Sequence, residues 1–337
     1  MSRILAVLLI ILLFCGCAAK TETVPKDSLP EIPVATSEPT EETASSETIP
    51  PETIDSSVEA QIIMEEPPLP ASVVLLPEAS GLLEERCEDA VIDYSHTDDG
   101  YVMVQYTGET DQRLKVLVKG PSATYSYDLP KRQWTTFPLS DGNGTYTVGV
   151  YINVTGNKYA VVMTAEITAD MADEFAPFLR PNQYVNYVNA PETISLGAEL
   201  CVGVEHPLEK VAVVYDHVIH NFSYDYEKAK SVTSGYLPNL DEVLSKQEGI
   251  CFDYAAVMTA MLRSQEVPCK LVVGYAGNVY HAWISVWTEE NGWIDGAIFF
   301  DGYAWMRMDP TFASSGDGDP EIMEFIQNGT YKARYLY

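Results

Sequence analysis

Gly249-Ile250-Cys251-Phe252-Asp253-Tyr254-Ala255 opens a helix on a cysteine. The glycine permits a tight entry. Ala255, Met258, Met261 and Leu262 then recur with helical spacing as far as Ser264. Val267-Pro268 ends the run, because a residue before proline leaves the α region. A thiol attacks as thiolate, and a helix N-terminus lowers its pKa. The same position aims the Cys251 backbone N–H at a carbonyl under attack, making it one oxyanion donor. Tyr236, upstream, is a candidate for the second.

About thirty residues further on, Tyr280-His281-Ala282-Trp283 lies in an alternating strand, Val279–Thr288. His281, Trp283, Ser285 and Trp287 share one face, and Ala282, Ile284 and Val286 the other. A strand passing the start of a helix can hold an imidazole beside a sulfur. Met308-Asp309-Pro310-Thr311 follows, and Asp309 is placed to orient the ring and stabilise its charged form. Asp295 is a rival for that third role. The Asp-Pro-Thr setting favours Asp309.

These three blocks, in this order, resemble the signatures of the transglutaminase-like superfamily. Asn221-Phe222-Ser223-Tyr224-Asp225-Tyr226 resembles its lead-in. The likeness covers about residues 200–315, and its span from His281 to Asp309 is longer than the short hairpin common in the family. It implies a papain-related α+β fold and the triad Cys251, His281 and Asp309. It also implies acyl transfer on amide bonds of a peptide or cell-surface protein, either hydrolytic or cross-linking. No cofactor is required, since the nucleophile is a side chain. The alternative reading is a non-catalytic cell-surface binding or scaffold module.

The rest of the chain divides by composition. Residues 71–170 carry short β-rich runs at Ala90–Tyr94, Tyr101–Tyr106, Leu114–Lys119, Thr124–Leu129, Trp134–Leu139, Thr145–Val154 and Lys158–Ile167. Turn residues punctuate them, which predicts an all-β, sandwich-like domain. Residues 171–205 read as a connector holding Pro177, Pro181 and Pro191. From Pro207 the period becomes 3.6, with Leu208, Val211, Ala212, Tyr215, Val218, Ile219 and Phe222 on one face. Helices followed by an antiparallel sheet make residues 206–337 α+β.

The net charge of −29 argues against nucleic acid, whose phosphates need a basic surface. Much of that charge sits in residues 18–70, which hold twelve acidic residues against two lysines and no aromatic residue. Such a segment cannot bury enough apolar surface to order itself and reads as a disordered, extended linker. Ahead of it, Arg3 and the apolar run Ile4 to Phe14 are a signal-peptide core, too short to span a bilayer. The run ends in Cys15-Gly16-Cys17 and resembles a bacterial lipoprotein signal, residues 1–17, with Cys17 as the lipid acceptor. The expected location is extracytoplasmic, anchored to the bacterial cell membrane through that lipid.

Other features carry less. His217 and His220 lie three apart on one helix without a third metal ligand nearby in sequence. Trp283, Trp287, Trp293 and Trp305 read as packing. Asp317-Gly318-Asp319 falls short of a calcium loop. Cys87, Cys201 and Cys269 remain beside Cys251, and a nucleophilic Cys251 must stay out of any disulfide.

Overall fold

The computed structural model describes residues 69–295, 311 and 329–337 in full, and the backbone alone for 21–23, 297–300 and 305–308. The signal and Cys17, most of the linker, and Asp309 therefore lie outside the described residues.

The N-terminal part consists of two antiparallel sheets. One is built from β2 (Glu84–Arg86), β3 (Ala90–Asp93), β4 (Tyr101–Tyr106) and β7 (Thr135–Pro138), in that order. The other has the order β1-β9-β8-β5-β6, from β1 (Thr21–Thr23), β5 (Leu114–Lys119), β6 (Thr124–Asp128), β8 (Gly144–Thr155) and β9 (Lys158–Ala169). Every one of the seven β-rich runs becomes a strand. Period-two alternation sets which side faces inward. Tyr146, Val148 and Val150 of β8 are buried, as are Ala165, Ile167 and Ala169 of β9, while Thr164, Glu166 and Thr168 are not. The inward residues of both sheets form one core, as in a sandwich.

The segment 171–205, expected as a connector, contains a helix, α1 (Pro191–Leu200). Pro191 does not break structure here. It stands in the first turn, where its missing N–H is not needed. The free N–H of Thr193 donates to Asp241 Oδ1 at 2.8 Å, so a carboxylate from a later helix caps α1.

Next come α2 (Pro207–Asn221), β10 (Ser223–Tyr224), α3 (Tyr226–Ser231), α4 (Leu240–Lys246), β11 (Glu248–Gly249) and α5 (Cys251–Ser264). The sheet that follows has the order β14-β13-β12-β17, from β12 (Cys269–Ala276), β13 (Val279–Thr288), β14 (Gly292–Asp295) and β17 (Tyr331–Leu336). A separate ladder joins β15 (Ala297–Phe300) to β16 (Trp305–Met308). Neighbouring β14 and β15 thus belong to two different sheets, and β17 is an addition that the sequence reading did not include.

Helix α5 is the centre of this half. The sequence suggested one apolar face, yet all fourteen of its residues are buried. Its neighbours are α1, α2 and α4 on one side and β12 and β13 on the other. Its buried guanidinium is satisfied by backbone carbonyls from three parts of the chain. Arg263 donates to the carbonyls of Cys269, Arg180 and Tyr337 at 2.9, 2.6 and 2.7 Å. Burying a guanidinium is costly unless its donors are used in this way. The halves meet through rings: Tyr184 packs on Tyr127 of the sandwich, on Phe252 of α5 and on Tyr337.

Candidate active site

Cys251 is the first residue of α5 and is buried. Ile250 before it is extended, with φ −100° and ψ 173°, so the chain enters the helix through a sharp change of direction. The N–H of a first-turn residue has no partner inside the helix, which leaves the Cys251 N–H for an incoming oxygen. Its thiol is not in a disulfide, and neither are those of Cys87, Cys201 and Cys269. Burial raises the Cys201 thiol above its ordinary value and pushes the Cys269 thiol up to about 11. Those two are therefore inert at neutral pH.

Asp253, two residues on, makes the turn. Its carboxylate folds back and accepts the Ile250 N–H at 2.8 Å. That is half of a capping box, since Ile250 has no side-chain oxygen to return the bond. Gly249 is required by this contact: a Cβ there would stand 2.8 Å from the Asp253 Cβ. The Asp253 carboxylate is fully buried. It accepts from Lys228 Nζ at 2.6 Å and from the Tyr236 hydroxyl at 2.5 Å. Tyr236, considered above as an oxyanion donor, thus donates its hydrogen bond to Asp253 instead.

A different tyrosine comes to the cysteine turn. Strands β10 and β11 run parallel, and the register sets Tyr224 opposite Gly249. Burial first, then the neighbouring Cys251, pushes the Tyr224 phenol above its ordinary value. It therefore holds its proton at any physiological pH and is available as a donor at this turn.

His281 is buried in β13, the strand on which α5 packs. Its register partner in β12 is Gly274. A side chain on Gly274 is excluded, because a Cβ would lie 2.1 Å from the Lys332 carbonyl oxygen of β17 and 2.8 Å from the Trp283 ring. The imidazole lies among aromatic rings, with Trp283 at 6.3 Å and Tyr331 at 6.5 Å between centroids. Asp295 pairs opposite Ser285, four residues along β13 from His281, and accepts the Ser285 hydroxyl at 2.9 Å. Four residues of strand separate two groups by about 13 Å. Asp309 would follow β16 directly and lies outside the described residues.

Two surface clefts are found among the described residues, neither lined by Cys251 or His281. One, of about 570 Å³, is bordered by Asp225, Lys228, Tyr236, Asn239, Glu242 and Glu248. The other, of about 360 Å³, runs along the sandwich past Trp134, Thr136, Asn182 and Gln183. Trp287 and Trp293 pack against Phe175 and Phe178.

With this geometry in place, residues 194–310 match the model of the transglutaminase-like superfamily. That segment is a transglutaminase-like domain, and the resemblance read from its motifs is borne out. The chain as a whole joins a transglutaminase-like fold to a β-rich N-terminal part. A protein-glutamine gamma-glutamyltransferase of Pseudomonas aeruginosa is 28% identical over 120 residues, which are 31% of this chain and 17% of that protein. The chain thus matches about a sixth of that relative's length. Among solved structures, a candidate cysteine protease from Cytophaga hutchinsonii is 13% identical, with 76% of this chain and 91% of that one covered and a TM-score of 0.34. Red sea bream transglutaminase is 12% identical over 69% and 56% of the two chains, with a TM-score of 0.28.

Sequence reasoning passed over Tyr224, Lys228 and Asp253. Asp253 carried a signal, an acid at the third position of a helix. Tyr224 stood in the lead-in block without a role, and Lys228 carried no signal, because strand pairing and helix packing bring them to the turn.

Proposed function

We propose that this protein is a thiol enzyme that acts on amide bonds of peptides or surface proteins through Cys251, His281 and Asp309. The observation that carries the reading is Cys251 at the first position of an entirely buried helix, within the segment matched by the superfamily. The Cys251 thiolate attacks the amide carbonyl carbon, and the oxyanion takes hydrogen bonds from the Cys251 N–H and the Tyr224 hydroxyl. His281, charged by the thiol proton and oriented by Asp309, protonates the leaving amine. The thioester left on Cys251 is resolved by water, which makes a carboxylate, or by a primary amine, which makes a cross-link. The Pseudomonas aeruginosa relative, named for glutamine transfer, supports the second acceptor.

The protein is further proposed to be exported and held on the bacterial membrane by a lipid on Cys17, with residues 18–70 as a tether. Among the described residues no helix is long and apolar enough to cross a membrane. Growth with a labelled fatty acid tests the anchor: Cys17→Ala is expected to lose label and membrane association together.

The enzymatic test is mass spectrometry after incubation with a library of peptide amides. A thioester adduct on Cys251, absent from Cys251→Ala, is the expected result. Iodoacetamide should also label Cys251 far faster than Cys201 or Cys269 near neutral pH. Slow, uniform labelling without adducts would leave the non-catalytic scaffold as the better reading.

A further inference from the structure

The turn that presents Cys251 is held by a buried negative charge. Asp253 is fully buried, two residues from the thiol, and one of its oxygens accepts the Ile250 N–H at 2.8 Å. By itself that arrangement works against a thiolate, because a like charge close by disfavours ionisation. The carboxylate is not by itself. Lys228, from α3, reaches across with its Nζ 2.6 Å from Asp253 Oδ2 and 2.6 Å from the Tyr236 hydroxyl oxygen. Its side chain is only about a quarter exposed, at 24%, so solvent screens the pair weakly. Lys228 is itself fixed, since its N–H donates to the Asp225 carboxylate that caps α3.

Resting on the catalytic reading above, we propose that Lys228 is a positioning residue for Cys251. By neutralising the buried Asp253 carboxylate, it lets Asp253 hold the Gly249-Ile250-Cys251 turn without placing an uncompensated charge beside the thiolate. Asp253 supplies the geometry, and Lys228 cancels its electrostatic cost. The other ionisable groups around this centre are Tyr224 of β10, Asp225, Tyr226 and Glu227 at the start of α3, Glu242 and Lys246 of α4, Glu248 of β11, and Tyr254 of α5. Glu242 and Lys246 pair with each other at the surface. On the catalytic reading, His281 of β13 completes the set. Among these described groups, Lys228 is the cation that touches Asp253.

The test is the pH dependence of the Cys251 alkylation rate, read site by site by mass spectrometry on the full-length protein. It requires no substrate. Lys228→Met is expected to raise the midpoint by about one pH unit, at the lower end of the effect of one nearby charge. Lys228→Arg should keep the wild-type midpoint. Lys230→Met removes an exposed charge from the same helix and should leave the midpoint alone. The double variant Lys228→Met/Asp253→Asn carries neither charge, and its midpoint should return to the wild-type value or below. A folded Lys228→Met protein with an unmoved midpoint would overturn the proposal. So would a raised midpoint in the double variant, which decides the matter if Lys228→Met does not fold. A wild-type midpoint like that of a free thiol would instead defeat the catalytic reading, while the difference between the variants would still judge Lys228.

Discussion

Single residues divide here into those whose chemistry is exposed by their position and those whose chemistry is suppressed by it. Cys251 and Cys269 have the same side chain. Cys269 is buried at the start of β12, and its thiol is pushed up to about 11, whereas Cys251 opens a helix. For His281, replacement by alanine is expected to slow amide turnover by about 10²–10⁴, the usual loss of a general acid–base, while the Cys251 thioester test reads the nucleophile directly. Lys270 offers a separate check on the packing. Its ammonium lies 3.4 Å from the Trp293 ring centroid, and burial lowers its pKa from 10.5 to about 8 against the pull of Asp295 and Glu174. Between those two pH values the unfolded chain binds a proton that the folded chain lacks. Stability therefore gains from Lys270 as pH rises from about 8 to 10.5, and that gain is lost as pH falls through 8. Melting temperatures of Lys270→Met and wild type should converge across that window, with the variant ahead below it. A constant difference would count against a buried ammonium.

Elements are held by contacts that no side chain other than glycine permits. Gly249→Ala places a methyl 2.8 Å from the Asp253 Cβ, so the turn or the carboxylate must move. Overpacking of this kind costs about 1–3 kcal/mol, and here the alkylation rate of Cys251 should fall as well, because the turn presents the thiol. Gly274→Ala meets backbone instead, with the Lys332 carbonyl 2.1 Å away. The expected loss is at the upper end of that range, measured by denaturant unfolding, with β17 displaced from β12. Asp241→Ala uncaps α1 and should cost about 1 kcal/mol. The strands of the sandwich were legible because alternation and turn residues are local. Helix α1 was not legible, because three prolines read as breakers while its cap comes from Asp241, 48 residues beyond Thr193. Strand β17 was equally hidden, since its partner β12 lies more than fifty residues earlier in the chain.

At the scale of the molecule, one buried cluster runs from Ile92 and Val148 of the sandwich to Val257 and Ile284 of the transglutaminase-like half. The junction is aromatic, with Tyr184 wedged among Tyr127, Phe252 and Tyr337. Gln183 adds a 2.6 Å bond from its Nε2 to the Asp128 carbonyl. Shared packing of this extent makes the halves one cooperative unit. Tyr184→Ala is expected to cost about 3 kcal/mol and to split a single calorimetric transition into two. A single transition, shifted but not split, would show that the halves are coupled elsewhere.

The sequence alone determined the superfamily of residues 194–310. Cysteine at a helix start, histidine in a strand and aspartate before proline are local patterns, each set by propensity and spacing within a few residues. It also determined the two architectures, because periods of 2 and 3.6 are written in short windows. What makes the cysteine turn work was decided only in three dimensions. Lys228 and Tyr236 reach Asp253 from 25 and 17 residues away, and a parallel strand pair sets Tyr224 opposite Gly249. Those contacts depend on helix packing and sheet register, which no local pattern specifies.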